Sequence, residues 1–144
     1  MRDPNCPLCL ADAGDVLWSD AFCRVIWVDD ADYPGFCRVI LNAHVREMTD
    51  LPAADRRRLM DVVFAVEAVV RTVFDPAKIN LASLGNLVPH LHWHVIPRFA
   101  DDRHYPDAIW APPRREAFSP RLPAADFRSQ CEALLRQRLG PPQE

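Results

Sequence analysis

Two spacings of apolar residues divide this chain. Over about residues 52–74, Leu59, Val62, Val63, Val66, Val69, Val70 and Val73 recur every three or four positions, which is the spacing of one helix face. Over residues 123–139, Phe127, Cys131, Leu134, Leu135 and Leu139 do the same, and Gly140 follows as a stop. Thr49-Asp50-Leu51-Pro52 supplies capping residues and then proline for the start of the longer helix, and Asp75-Pro76 ends it. The remaining apolar residues fall into short runs of β-forming side chains at 16–19, 22–28, 36–41 and 78–83. A fifth run, around 90–95, alternates strictly. His90, His92 and His94 take one face of a strand, and Leu91, Trp93 and Val95 take the other. The elements predict an α+β domain.

Composition adds limits. The 144 residues suffice for one domain with a core, here about 6–110 with an arm and helix at about 111–140. A net charge of −3 gives no sign of a nucleic-acid-binding surface. No apolar run suggests a membrane span or signal peptide. Five cysteines without a secretory signal suggest a reducing, cytoplasmic setting. Cys23 reads as a small buried filler.

The chemistry concentrates in the histidines. Of five in the chain, three share one face within five residues. Successive ladder members are expected ~7 Å apart, and the three span ~13 Å, too far for one catalytic ion without strong bending. Neutral imidazole is instead a nucleophile or proton donor at neutral pH. The Cys6-Pro7-Leu8-Cys9 pair suggests a zinc knuckle, a redox pair or two incidental thiols, with His44 and His90 as candidate further ligands. Gly85 allows a tight turn and close approach of a phosphate to bare backbone. Asp101-Asp102-Arg103-His104 is expected as a charged rim, with His104 solvated. The proline-rich arm over residues 105–115 is expected to pack through Trp110.

His90-Leu91-His92-Trp93-His94-Val95-Ile96, followed by Pro97-Arg98, resembles the His-φ-His-φ-His-φ-φ signature of the histidine triad (HIT) family of nucleotidyl hydrolases and transferases. The resemblance implies a HIT-like fold, with a five-stranded, mostly antiparallel sheet and two main helices, and a homodimer formed through the long helix and an adjacent strand. It implies that His92 is the nucleophile toward a nucleotide α-phosphate, that His94 donates to a phosphate oxygen or the leaving group, and that His90 orients the ladder. No cofactor is then required for catalysis. Asp29, with Asp30 as the alternative, would hold the ribose. Asn80 would contact ribose or phosphate, Asn86 would stand in for a glutamine beside Gly85, and Trp110 would lie near the substrate, reaching from the partner subunit. A structural zinc on Cys6, Cys9, His44 and His90 is implied for some members. Two positions depart from the pattern: Phe36 replaces a phosphate-side histidine, and Leu87 replaces a hydroxyl residue.

Overall fold

The computed structural model describes residues 1–123 and 125–143. Ala124, within the stretch expected as the second helix, lies outside the described residues, as does Glu144. A one-turn helix, α1 (Pro7–Leu10), precedes β1 (Asp15–Ser19), β2 (Cys23–Trp27) and β3 (Cys37–Leu41). The long helix α2 (Ala53–Phe74) leads to β4 (Lys78–Ala82) and β5 (His92–Arg98), and α3 (Phe127–Leu139) closes the chain. The strands form one sheet in the order β1-β2-β3-β5-β4, and every pairing is antiparallel. This is the expected α+β architecture with two main helices. No helix among the described residues is long and apolar enough to cross a membrane.

The register assigns the two faces. Val25 pairs with Val39, Val39 with Trp93, and Leu81 with Val95. That face carries the core, where α2 lays down Leu59, Val62, Val63, Val66, Val69 and Val70. A valine-rich helix has modest intrinsic propensity, so burial of this stripe stabilises it more than the backbone does. Trp27, Phe74 and Phe127 pack with ring centroids 5.6–6.0 Å apart and join β2, the end of α2 and α3. Gly35 turns the chain beneath this cluster at φ +89°, and a Cβ there would stand 2.8 Å from the Phe74 ring, so only glycine fits. Cys23 is fully buried in the core, as expected.

Three boundaries differ from expectation. Thr49 and Asp50 belong to a 3-10 turn (Met48–Asp50) and do not cap α2, which begins at Ala53 without a side-chain cap bond. α3 begins at Phe127, several residues after the proline at 123. β5 begins at His92, so His90 and Leu91 lie ahead of the regular strand. Their backbone N–H groups are taken by Val88 and Val45 carbonyls at 2.8 Å, which bends the chain out of the ladder just after Pro89.

Candidate active site

The opposite face of the sheet presents Ile40 opposite His92, Arg38 opposite His94, and Ala82 opposite His94 on the other side. A cleft of about 370 Å³ lies over it. Arg38, His92 and His94 form its floor, the β4–β5 loop supplies Gly85 and Asn86, and Leu8 and Trp110 close the sides.

His92 is held from both ends. Its Nδ1–H donates to the His90 carbonyl at 2.7 Å, and the Ser83 hydroxyl donates to the His92 carbonyl at 2.8 Å. With Nδ1 occupied, Nε2 carries the free lone pair. The His94 ring stands 5.0 Å away and nearly perpendicular, closer than the backbone rise alone suggests because the two rings lean together. His94 is buried, edge-on to Phe36 at 5.8 Å and to Trp110 at 5.2 Å. Burial, reinforced by the charge of Arg38 and by His92, lowers its pKa to about 4. It is therefore neutral at pH 7. The Nε–H of Arg38 donates to its Nδ1 at 3.3 Å, so the proton of neutral His94 resides on Nε2.

Cys6, Cys9, His44 and His90 place one ligand atom each within 4.8 Å of one another. The closest sulfur-to-Nδ1 separations are 3.4 Å from Cys6 to His90, 3.4 Å from Cys9 to His90 and 3.5 Å from Cys9 to His44. A tetrahedral ion with zinc-like bonds would set S···N edges of roughly 3.6 Å, so the four groups are positioned to bind a metal ion. The His90 Nε2–H donates to the Leu41 carbonyl at 2.6 Å, which turns Nδ1 toward the sulfurs. Arg24 secures α1 by donating to the carbonyls of Leu8 at 2.7 Å and Ala11 at 3.0 Å.

Gly85, Asn86, Trp110, His92 and His94 thus come together as expected. Trp110 lies against His94 of its own chain. Asn80 does not line the cleft, and its Oδ1 accepts from Arg98 Nη1 at 2.8 Å. Asp29 is exposed beyond β2 and outside the cleft lining. Asp30 accepts the Asp32 N–H on Oδ1 at 3.0 Å. Phe36 is 2% exposed and packs rather than binds, whereas Leu87 is 98% exposed at the cleft mouth.

The expected charged rim is in part a buried hub. Asp102 is fully buried and accepts from Arg98, from the backbone of Phe99, His104 and Tyr105, and from the Tyr33 hydroxyl. His104 is half-buried rather than fully solvated, and its Nδ1 lies 2.6 Å from that hydroxyl. Arg38 was not singled out by motif. Its signal was a lone charge inside an apolar strand, at the parity of the histidine face.

The HIT domain family model matches residues 12–101. No curated protein matches the chain. Among solved structures, a histidine triad protein from Marinobacter aquaeolei VT8 is 28% identical with a TM-score of 0.72, covering 90% of this chain and 93% of that one. A histidine triad protein from Bradyrhizobium japonicum is 25% identical with a TM-score of 0.69 at the same coverage. A Hit-like protein involved in cell-cycle regulation from Bartonella henselae shares the fold at 15% identity and a TM-score of 0.62, covering 96% of this chain and 100% of that one. Domain match, fold and the histidine ladder agree, and the chain belongs to the histidine triad family of nucleotide-binding hydrolases and transferases.

Proposed function

We propose that the protein hydrolyses or transfers at the α-phosphate of nucleotide conjugates, such as nucleoside phosphoramidates or dinucleoside polyphosphates, through His92. The observation that carries this reading is the Nδ1–H bond from His92 to the His90 carbonyl, because it frees Nε2 inside the cleft. The Nε2 lone pair attacks the α-phosphorus, the bond to the leaving group breaks, and the departing group takes its proton from solvent water. Water then attacks the nucleotidyl-histidine and returns His92 to its neutral form. His94, neutral with its proton on Nε2, donates to a phosphate oxygen as charge develops. The backbone N–H groups at Gly85-Asn86 extend the anion cradle, and Asp29 serves the ribose. The test is turnover of an adenosine phosphoramidate and of diadenosine tetraphosphate. His92→Ala lowers kcat by more than about a thousandfold on whichever is used, whereas an unchanged kcat removes His92 as nucleophile.

A second reading, a nucleotide-binding regulatory module with little turnover, is favoured by one observation. Leu87 extends fully into solvent at the site's mouth where relatives carry a hydroxyl. Such a protein binds AMP and turns over neither conjugate.

The metal that suits Cys6, Cys9, His44 and His90 is zinc, whose preference for thiolate and imidazole in a closed tetrahedral set is structural. It would anchor the N-terminal knuckle and the residue that orients His92, without a chemical step of its own. A homodimer through α2 and β4 is supported by the open edge of β4 and by Phe64, 53% exposed on α2. A cytoplasmic location is consistent with the five free cysteines.

A further inference from the structure

Arg38 is an isolated charge in the floor of the cleft. It is half-buried, and no carboxylate among the described residues lies within ion-pair distance of it. It is also the only lysine or arginine among the described side chains that line the cleft. A partly desolvated guanidinium without a counter-ion is costly to keep. Its surroundings nonetheless hold it in place. The Phe36 ring lies 5.7 Å from its Cζ, and its Nε–H is committed to His94 Nδ1 at 3.3 Å. Its two Nη groups have no hydrogen-bond partner among the described residues. A guanidinium fixed by Nε, with both Nη groups unpartnered in a cleft that His94 also lines, has the donor arrangement that a tetrahedral oxyanion takes.

We propose that Arg38 is the anion-holding residue of this cleft, taking a non-bridging phosphoryl oxygen on its Nη groups while its Nε–H keeps His94 as an Nε2–H donor to the same phosphate. This rests on the nucleotide reading above and adds a residue to it. Phe36 then has a place in the site as the apolar support for the guanidinium.

The test compares AMP with adenosine by calorimetry on the wild-type protein, Arg38→Met and Arg38→Lys. It also reads the His94 tautomer in ligand-free protein by 15N NMR. Wild type is expected to bind AMP more tightly than adenosine and to hold His94 as a single Nε2–H tautomer. Arg38→Met loses at least ~10-fold in AMP affinity, keeps adenosine affinity within about twofold, and loses the single tautomer. Arg38→Lys keeps part of the AMP preference because charge remains but the planar fork does not. The proposal is overturned by a wild type that binds AMP no better than adenosine, by an Arg38→Met that keeps the AMP preference, or by equal losses for both ligands. If the Met variant does not fold, the Lys variant decides, and wild-type values on both readouts overturn the proposal. Should these results hold while neither conjugate is turned over, the transfer reaction falls and the role of Arg38 stands.

Discussion

Asp102 illustrates what one residue does here. Burial alone would raise its pKa, but the bonds from Arg98 and from the backbone N–H groups of Phe99, His104 and Tyr105 outweigh burial and hold it at about 2, against an ordinary 3.8. A carboxylate with a depressed folded-state pKa stabilises the fold above its unfolded value, and that contribution is lost as pH falls through the folded value. Wild-type Tm should therefore drop between about pH 4 and pH 2 more steeply than that of Asp102→Asn. At pH 7 the variant should be less stable by about 3 kcal/mol, the order found when one member of a buried ion pair is removed. A Tm within a degree of wild type would contradict this. The charges of the hub were visible in the sequence as a rim, but its burial was not. Most partners of Asp102 lie within four residues, whereas Tyr33, which meets it across 69 residues, is a distant side chain that periodicity does not record. The histidine ladder was legible because its chemistry and its alternation lie in the same few residues. Arg38 was hidden for the opposite reason, since its partner His94 lies 56 residues away.

At the scale of elements, the strands and helices followed from their spacing, and the errors fell at their ends. α2 begins at Ala53 because the preceding polar residues close a 3-10 turn through local backbone bonds. The knuckle around α1 shows a limit of another kind. Cys6 precedes α1 and Cys9 lies on it, but their ring partners His44 and His90 come from 35 and 81 residues beyond Cys9. The Cys pair was visible in the sequence and its completion only in the fold. Native mass spectrometry of the purified protein is expected to show one zinc per chain, and none when Cys9 is replaced by Ser. A metal-free wild type after purification without chelator would remove the structural-zinc reading. Cys23, Cys37 and Cys131 will not compete for the ion. They lie in the core, where burial raises Cys23 to about 12 and Cys131 to about 11 and pushes Cys37 up as well, so they are protonated at neutral pH.

At the scale of the whole molecule, the sheet divides labour between its faces. One is sealed by α2 and α3, and the other supports the ladder, the metal knuckle and the arm. The Asp102 hub ties the start of the arm to β5 through Arg98, and the arm returns Trp110 to His94. β4 remains at the sheet edge, and the same native spectrum should show two chains associated. Catalysis by this ladder requires that His92 become covalently nucleotidylated. The most direct test mixes the protein with an adenosine phosphoramidate, quenches within milliseconds, and reads the intact mass and the modified peptide. An added AMP is expected on His92 and absent in His92→Ala. Turnover by wild type with no adduct at any quench time, or an adduct mapped to another residue, would contradict it.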